Sequence, residues 1–597
     1  MIERVRVGIK RYVDIIKTIN GFSSKYIFIT ICSQVFTIIN SYLLLYINKI
    51  IINGLSNIIM SGEISVLSII ALLAVCGIIE ILSMLLFNVL QYNLGKLKLK
   101  YDDEISLKMA CSFSKLDMSY YDDPVAFNQT QQAGKCKSSI LDSYNGLLDL
   151  VFGCISFIIA FIVAVRFSIL VFILSVLSVI PGFIIRKRLQ IEHYEIEKEL
   201  LNKQRQVNNL VGMFYNKNVE MEMQVYSFSN YIKEKIEKYQ LEIRNVRIKQ
   251  SLKKARKEGA LSILSKTFHI VQQVIVVYII SGRNMTIGDF TYYGGIINNL
   301  SSSLNGIAKT VNTLHLNSVK YDEYISIMSR KPKLKSIDNK IVTNDDMNVI
   351  TFEKVSFCYP NTDKKVLTDI SFSIKSGEKF ALVGQNGAGK STLIKLLLRF
   401  YDPTEGKILL NGVNIQEYDL EVYRKLFSTM FQEPLVYLLS VKENVAISDT
   451  TCSSGLINDR LEKILTDLKL KQMNGDLLDI DKYCGKDFYA DGYVFSVGQK
   501  QRIHAARTLF HEGAIYVLDE PAASMDAISE AEFLNTLVEY THGKSVIYIT
   551  HRYNNLDMMD NILVLDHGAI VEFGKHNDLI SHNGIYSRMF EIQNKKA

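Results

Sequence analysis

Gly384-Gln-Asn-Gly-Ala-Gly-Lys390-Ser391 is the stretch that decides the fold of the second half of this 597-residue chain. The preceding run Lys379-Phe-Ala-Leu-Val383 predicts a buried strand, and the following run Ser391-Thr-Leu-Ile-Lys-Leu-Leu-Leu398 predicts a helix. A glycine-rich loop in that position points backbone N–H groups, and the positive end of the helix dipole, at bound phosphates. The sequence therefore predicts an α/β domain that binds a nucleotide.

Each part of this loop has an expected role in binding ATP. The glycines let the backbone close around the phosphates, Lys390 would neutralise the β and γ oxygens, and the Ser391 hydroxyl would be a ligand of Mg²⁺. The expected ATP-binding residues of the loop are Gly384, Gln385, Asn386, Gly387, Ala388, Gly389, Lys390, Ser391 and Thr392. ATP and Mg²⁺ are accordingly the expected cofactors.

The first half of the chain is predicted to cross a membrane. It contains apolar runs of about 20 residues or more, the length that a helix needs to span a bilayer. The six predicted spans are 26–47, 66–90, 147–165, 167–185, 260–280 and 287–314. The sixth carries Asn298, Asn299, Asn305 and Lys309, so we expect it either to line a wet cavity or to cross only partly.

Positive charges orient these spans. Several basic residues lie between Arg4 and Arg11, and Arg186-Lys187-Arg188 follows the fourth span. Because Lys and Arg are enriched on cytoplasmic loops, both stretches are predicted to lie inside the cell. The long connections after the second and fourth spans would then form two intracellular arms, with helices that continue beyond the membrane.

The polar segment after the last span, which includes Lys331-Pro-Lys-Leu-Lys335, predicts a linker. We therefore expect a transmembrane domain at 1–320, a linker at 321–348 and a nucleotide-binding domain at 349–597. The predicted fold class is a six-helix, all-α membrane domain with long intracellular helices, followed by an α/β P-loop domain.

Ionisable residues inside the predicted spans have two interpretations. A charge near the bilayer centre costs about 3 kcal/mol on insertion scales. Glu80, Lys266 and His269 therefore either face a translocation cavity or pair with another helix. Asn40 and Gln272 are more typical of contacts between helices.

Composition excludes other classes of function. The chain has 68 basic and 61 acidic residues, and its net charge of +7 is too mild over this length to predict nucleic-acid binding. Its eight cysteines are scattered, without the spacing of a metal site. Cytoplasmic loops of a membrane protein account for the positive excess.

Further motifs follow in a fixed order. They are Phe-Cys-Tyr359-Pro, Phe-Gln432-Glu-Pro, Phe495-Ser-Val-Gly-Gln499, Ile515-Tyr-Val-Leu-Asp519-Glu520, Asp526 and His551. With the phosphate loop and the spans, they resemble an ATP-binding cassette (ABC) exporter half-transporter over essentially the whole chain. Outside the loop, the nucleotide-binding residues that this resemblance implies are Tyr359, which would stack on adenine, and Ser496, Gly498, Gln499 and Asp526.

The catalytic residues are also implied by the resemblance. Asp519, at the end of an apolar strand, would hold Mg²⁺ through water, and Glu520 would orient and deprotonate the attacking water. Gln432 would contact Mg²⁺ or that water, and His551 would contact the γ-phosphate. In this family the signature motif of one subunit, which is Phe495–Gln499 in this chain, covers the phosphate loop of the other subunit. A second half-transporter is therefore the expected partner. The tips of the two arms, near 123–128 and 219–226, would dock on the ATPase domains.

The signature departs from the family pattern Leu-Ser-Gly-Gly-Gln, because Val497 replaces a glycine. A β-branched side chain adds bulk near the phosphates and would not suit a conformation that only glycine adopts. In heterodimeric relatives, one half often keeps its catalytic Glu and His while its own signature drifts, and this chain fits that half. A homodimer that tolerates valine is the alternative.

The expected substrate is a peptide or another amphipathic molecule. Gly485-Lys-Asp-Phe-Tyr-Ala-Asp-Gly492 and Tyr121-Asp-Asp-Pro124 resemble bacterial exporters of ribosomally made peptides such as lantibiotics. We expect ATP-driven export across the plasma membrane of a bacterium, with the N-terminus and the ATPase domain in the cytoplasm. Multidrug or lipid export is the nearest alternative. A non-transporting, ATP-gated binding or signalling protein is a third.

Overall fold

A computed structural model describes residues 2–61, 66–123, 134, 137–283, 285–334, 348–360, 362–450, 454–471, 476–486, 489–553 and 556–594. The chain divides into two compact units. The first contains Met1–Ser114 and Asn128–Arg330, and the second contains Lys115–Phe127 and Lys331–Ala597. A short stretch from the first predicted arm therefore groups with the C-terminal part of the chain.

Long helices build the first unit. They are α1 (Ile2–Phe22), α2 (Ser24–Ser61), α3 (Val66–Ser114), α5 (Ser139–Phe167), α6 (Ile169–Met213), α7 (Lys217–Tyr226), α8 (Ser229–Gly282) and α9 (Ile287–Met328), while α4 (Met118–Asp122) belongs to the second unit. Helix α3 has 49 residues and α8 has 54. At a rise of about 1.5 Å per residue, both are much longer than the ~30 Å core of a bilayer, as predicted for helices that continue beyond the membrane.

Within the described part of the chain, five helices are long and apolar enough to cross a membrane. They are Ser24–Asn57, Leu73–Ser114, Ser139–Phe167, Ile169–Met213 and Ser229–Gly282. These helices correspond to the first five predicted spans. The sixth predicted span lies in α9. This helix is continuous and long, but it is too polar to qualify as a membrane span by composition. Asn299 of α9 reaches a neighbouring helix, since its Nδ2 donates to Ser41 Oγ of α2 at 3.4 Å.

Two amide side chains in the predicted spans form hydrogen bonds to residues of neighbouring helices. Gln272 is buried, and its Nε2 donates to Ser175 Oγ at 3.0 Å. Asn40 Nδ2 lies 3.5 Å from Ser83 Oγ. The predicted role of both amides in helix–helix contacts is therefore confirmed.

Of Glu80, Lys266 and His269, the histidine has an interhelical partner. His269 Nε2 lies 2.6 Å from Asn298 Oδ1. Glu80 and Lys266 are exposed in the first unit. For these two residues, the choice between a cavity and an interhelical pair stays a prediction.

The second unit contains two β-sheets. Its strands are β1 (Ile350–Cys358), β2 (Lys365–Ile374), β3 (Lys379–Gly384), β4 (Glu405–Leu410), β5 (Val413–Asn414), β6 (Phe427–Met430), β7 (Ile515–Asp519), β8 (Ser545–Ile549), β9 (Asn561–Asp566) and β10 (Ala569–Gly574). The smaller sheet is antiparallel, in the order β2-β1-β4-β5, and the larger has the order β10-β9-β3-β8-β7-β6. In the larger sheet only the β10–β9 pair is antiparallel. The predicted parallel-rich α/β core is confirmed.

Helices cover the larger sheet and connect its strands. They are α10 (Lys390–Leu397), α11 (Leu420–Lys425), α12 (Val441–Ala446), α13 (Ser454–Asp467), α14 (Val497–His511), α15 (Ala527–Tyr540), α16 (His576–Ser581) and α17 (Ile585–Asn594), with a 3₁₀ turn at Ile415–Glu417. Strand β3 shows why its sequence is a continuous apolar run. Phe380 and Leu382 belong to one hydrophobic cluster, while Ala381 and Val383 belong to another. Both faces of the strand are covered, which requires apolar residues at every position.

Candidate nucleotide site

The phosphate loop connects the end of β3 to the start of α10, as predicted. Gly389 precedes α10 with φ +109°, and Gly384 has φ +153°. A Cβ atom on Gly384 would lie 2.1 Å from the carbonyl oxygen of Leu565, and one on Gly389 would lie 2.7 Å from Leu367 Cδ2. Gly384 therefore requires glycine both for its backbone conformation and for lack of space against backbone, whereas Gly389 requires it mainly for its positive φ.

Lys390 lies inside this loop. Its side chain is largely buried, and Nζ donates to the carbonyl oxygens of Gly384 at 2.8 Å and Gln385 at 3.0 Å. Burial lowers the pKa of Lys390, although the nearby charges of Glu520 and Asp519 oppose the shift. The ammonium group is thus held where phosphate oxygens could replace the two carbonyl oxygens.

Two acidic residues lie at the carboxyl edge of the larger sheet. Asp519 is the last residue of β7, and Glu520 follows it. Asp519 pairs with Ile549 of β8, which in turn pairs with Leu382 of β3, so the ends of the three strands are neighbours. Burial, with a smaller contribution from Glu520, raises the pKa of Asp519 to about 6.

The Glu520 carboxylate is held from both sides. Gln432 Nε2 donates to Oε2 at 3.3 Å, and His551 Nε2 lies 3.1 Å from Oε1. Glu520 itself has φ +48°, a left-handed conformation that is uncommon for residues other than glycine, and its N–H donates to the carbonyl oxygen of Ile549 at 2.9 Å. Burial lowers the pKa of His551, and the Lys390 charge acts in the same direction. The imidazole is therefore neutral at neutral pH.

Tyr359 lies beside the phosphate loop in a cluster that sequence reasoning did not identify. Its hydroxyl and Thr392 Oγ1 are 3.0 Å apart, and Lys395 Nζ lies 5.4 Å from the centre of its ring. The ring of Tyr401 packs edge-on against it, with centroids 5.4 Å apart. Thr392 and Lys395 are three residues apart on α10 and therefore share one face of the helix. This spacing is the sequence pattern that could have indicated that both residues contact the same ring.

Asp122, at the end of α4, contacts this cluster. The Tyr401 hydroxyl donates to Asp122 Oδ2, and Lys395 Nζ lies 3.9 Å from the same oxygen. Burial, together with the adjacent carboxylate, raises the pKa of Tyr401. The arm tip predicted near 123–128 lies outside the described residues except for Asp123. The second predicted tip, 219–226, is part of helix α7, and its docking stays a prediction.

The signature forms the start of α14. Gln499 N–H donates to Ser496 Oγ at 3.2 Å, and Ser496 N–H donates to Gln499 Oε1 at 3.0 Å, so the two residues make a reciprocal cap. Val497 is the first residue of the helix and is not among the described residues with positive φ. Its side chain is 55% exposed. The expectation that this position needs a conformation available only to glycine is therefore wrong, because Val497 adopts an ordinary helical backbone conformation.

Among the described residues, the signature forms no hydrogen bond with the phosphate loop of the same chain. Ser496 and Gln499 bond to each other, and the nearest atom to a Cβ built on Gly498 would be the Ser524 carbonyl oxygen at 4.0 Å. Asp526 caps α15 by accepting a hydrogen bond from Ser529 N–H at 3.0 Å, which lowers the pKa of its carboxyl group. The structure thus brings Lys390, Gln432, Asp519, Glu520 and His551 together beside the loop, whereas Ser496, Gln499 and Asp526 form hydrogen bonds only within their own helix starts among the described residues.

His504, within α14, is a buried base that the sequence did not single out. It is 5% exposed, and its Nδ1 has no hydrogen-bond partner among the described residues. Burial lowers the pKa of His504 to about 4, and the charge of Arg507 adds to the shift. Because an unfolded histidine has a pKa near 6.5, the unfolded chain takes up a proton first as the pH falls. The stability that depends on neutral His504 is fully present above about pH 6.5 and is lost between about pH 6.5 and 4.

Acidification from about pH 7.5 to 5.5 is expected to lower the free energy of unfolding of the second unit by about 1.4 kcal/mol through His504. This corresponds to roughly 3–6 °C in the unfolding midpoint of a domain of this size. Circular dichroism of the detergent-solubilised chain would measure it. His504→Ala should flatten the pH dependence, whereas His542→Ala, which changes an exposed histidine, should not. Equal pH dependence in all three proteins would contradict the role of His504.

Comparisons with known proteins agree with this geometry. Residues 367–523 match the family model described as ABC transporter. The chain is 26% identical to the subtilin transport ATP-binding protein of Bacillus subtilis, over 92% of this chain and 89% of that protein. It is 37% identical to the ATP-dependent lipid A-core flippase of Pseudomonas aeruginosa, but over only 39% of this chain and 38% of the flippase.

A solved structure extends the likeness to nearly the whole chain. The structure of a bacterial Atm1-family ABC exporter with ATP bound superposes with a TM-score of 0.78 at 20% identity, over 96% of this chain and 99% of that one. The predicted combination of an α-helical membrane domain and an α/β nucleotide-binding domain is confirmed. The number of helices that qualify as spans by composition is five among the described residues, where six were predicted.

Proposed function

We propose that this chain, which carries an ABC transporter domain and has the fold of an ABC exporter, is one half of an ATP-driven exporter of peptides or other amphipathic molecules. The observation that carries the proposal is the Glu520 carboxylate, held between Gln432 and His551 at the sheet edge that also carries the phosphate loop. A protein that only sensed ATP would need the loop but not a carboxylate fixed beside it. The division into a transmembrane domain at 1–320, a linker at 321–348 and an ATPase domain at 349–597 is part of the proposal.

In this mechanism Glu520 orients the attacking water and accepts its proton. The contacts with Gln432 and His551 fix the direction of the carboxylate before ATP arrives. His551, as a neutral imidazole, can offer one N–H to the γ-phosphate or to Glu520. Lys390 would exchange its carbonyl partners for the β and γ oxygens, and Tyr359 would stack on adenine.

Ser391, Gln432 and Asp519 would hold Mg²⁺, with Asp519 acting through water. Their hydroxyl, amide and carboxylate oxygens are the donors that this ion prefers. The raised pKa of Asp519 shows a buried carboxylate whose charge is poorly compensated, so a cation beside it is favourable. When bound, the ion neutralises charge that develops on the transferred phosphoryl group.

Each ATP site would be completed by a second half-transporter. Ser496, Gly498, Gln499 and Asp526 make no hydrogen bond to the phosphate loop within the described chain, and they would face the loop of the partner. The N-terminus of α14 would then direct its N–H groups at the γ-phosphate. Because Val497 has ordinary helical geometry, we favour a homodimer over a heterodimer with an altered half.

Val497→Gly is expected to leave ATP turnover within about twofold of the unchanged chain and to cost at most about 1 kcal/mol of stability, because glycine at a helix start mainly adds backbone freedom. ATP hydrolysis by the chain purified alone in lipid nanodiscs would measure it. No turnover by either protein, despite ATP binding, would instead indicate a heterodimer. A large gain in Val497→Gly would show that the valine side chain obstructs the site.

Transport itself is tested in inverted membrane vesicles, whose cytoplasmic face is outside. ATP-dependent accumulation of an amphipathic peptide, absent with Glu520→Gln, would support export from the cytoplasm across a bacterial plasma membrane. ATP binding without movement of peptide, drug or lipid would favour a signalling role. The full-length similarity to a subtilin transport protein favours a peptide, since the similarity to the lipid A-core flippase covers a smaller part of the chain.

A further inference from the structure

A polar cleft lies between α6, α8 and α9 in the first unit. It has a volume of about 690 Å³. Residues from all three helices line it, among them Arg186, Gln190, Gln250, Lys254, Lys309 and Asn312. Arg186 belongs to the basic segment that the sequence places at the cytoplasmic end of the fourth span. The cleft would therefore be open to molecules arriving from the cytoplasm.

Positive charge dominates the lining of this cleft. The charged groups are Arg186, Lys253, Lys254 and Lys309 against Glu192 and Glu258. Lys253 forms an ion pair with Glu192, which removes one charge of each sign. Among the described residues, no ion pair is formed by Arg186, Lys254 or Lys309. Asp149 of α5 interacts with Lys309 at longer range and offsets part of its charge.

Hydrogen-bond donors accompany these charges. Arg186 Nη1 donates to Asn305 Oδ1 at 3.2 Å, which holds the guanidinium group against α9. Gln250 Nε2 is buried and has no hydrogen-bond partner among the described residues. A buried donor without a partner is unfavourable, so turning the Gln250 amide toward an acceptor on a bound molecule would be stabilising. The cleft thus offers fixed cations and amide donors to a ligand rich in oxygen acceptors.

We infer that this cleft binds an acidic segment of the exported peptide, with carboxylates against Arg186, Lys254 and Lys309 and backbone carbonyls against the amide side chains. The inference rests on the proposed function, because it names the substrate as a peptide with acidic residues. Leu189 is the single large apolar residue of the lining, and the aliphatic stems of its lysine and arginine side chains add apolar surface beside the charges, as an amphipathic peptide requires. Charge-assisted hydrogen bonds to the cations would supply both affinity and selectivity.

The chain contains no tryptophan, which makes a direct binding test possible. Leu189→Trp would place a single indole in the cleft of the full chain, reconstituted in nanodiscs of neutral phosphatidylcholine. The probes are a short peptide of alternating Glu and Leu and the same peptide with Gln at every Glu. We expect the acidic peptide to bind at least about tenfold more tightly than its neutral analogue, a ratio that falls as salt is added.

Arg186→Gln and Lys309→Gln are each expected to weaken binding of the acidic peptide by about three- to tenfold and to leave the neutral peptide unaffected. Lys187→Gln is the matched control, since it removes a cation next to Arg186 that does not line the cleft. Anisotropy of a labelled acidic peptide, measured with the unsubstituted chain and the same charge variants, should give the same ranking without the indole.

Equal binding of the two peptides, or an equal loss in Lys187→Gln, would overturn the inference. An indole response to nanodiscs containing anionic phosphatidylglycerol, without a response to the acidic peptide, would assign the cleft to lipid and also overturn it. The test is separate from that of export. Tight, charge-dependent peptide binding without ATP-driven transport would reject the exporter and keep the cleft, whereas transport that ignores these charges would reject the cleft alone.

Discussion

Glu520→Gln is expected to lower ATP turnover by about 10²–10⁴-fold and to leave ATP binding intact, because the amide can still orient a water but cannot accept its proton. The contact with Gln432 shows that the side chain already has a fixed position, so the isosteric replacement should keep the local structure. Turnover would be measured on the chain in nanodiscs, and binding with a fluorescent ATP analogue. The two measurements together separate a chemical defect from a folding defect.

Glu512→Gln is the matched control for this substitution. Glu512 also has a left-handed backbone, with φ +54°, and lies in the same unit. Its side chain is 68% exposed and forms an ion pair with Arg460 at 2.7 Å. A surface pair of this kind is worth about 0–1 kcal/mol, so turnover should be unchanged. Turnover that survives in Glu520→Gln would show that Glu520 is not the base and would remove the main support for the proposed ATPase.

Lys390→Met is expected to weaken ATP binding by about 100-fold, since charge-assisted hydrogen bonds to phosphate contribute about 1.5–3 kcal/mol each. Methionine keeps the length and the apolar stem of the side chain but loses the ammonium group that now donates to Gly384 and Gln385. The effect should therefore appear as a higher KM for ATP, together with a lower kcat because the β and γ oxygens lose a positive charge.

Lys407→Met provides the comparison for that variant. Lys407 is an exposed cation that pairs with Glu353 at 3.0 Å on the smaller sheet. Its loss should leave both ATP binding and turnover within about twofold, given the small value of surface ion pairs. Unchanged ATP affinity in Lys390→Met would contradict the assignment of the phosphate loop. An equal loss in both variants would point to a general effect of charge on the domain.

The family pattern misled the sequence interpretation at Val497. The pattern alone suggested a conformation that only glycine can adopt, and hence a weakened signature. The structure instead places Val497 at the first position of α14, where the reciprocal cap between Ser496 and Gln499 fixes the helix start. Backbone geometry at a helix start is set by its cap, which a comparison of single positions does not show.

The sequence by itself determined the features that depend on local chemistry. The phosphate loop needs glycines at particular positions between a strand and a helix, and the first five spans need length and apolarity, so both can be identified without knowing what they contact. The same holds for β3, whose unbroken apolar run indicates burial on both faces. The polar character of the sixth span was visible as well, and Asn305 and Lys309 of that span line the cleft between α6, α8 and α9.

Only the tertiary structure decided which distant residues meet. Gln432 and His551 converge on Glu520 because the strand order places β6, β7 and β8 side by side, and no local pattern specifies that order. The contact of Asp122 with Tyr401 and the cleft at Arg186 likewise depend on segments far apart in the chain. Contacts of this kind come from the packing of whole elements, whereas propensity, periodicity and motif spacing describe one segment at a time.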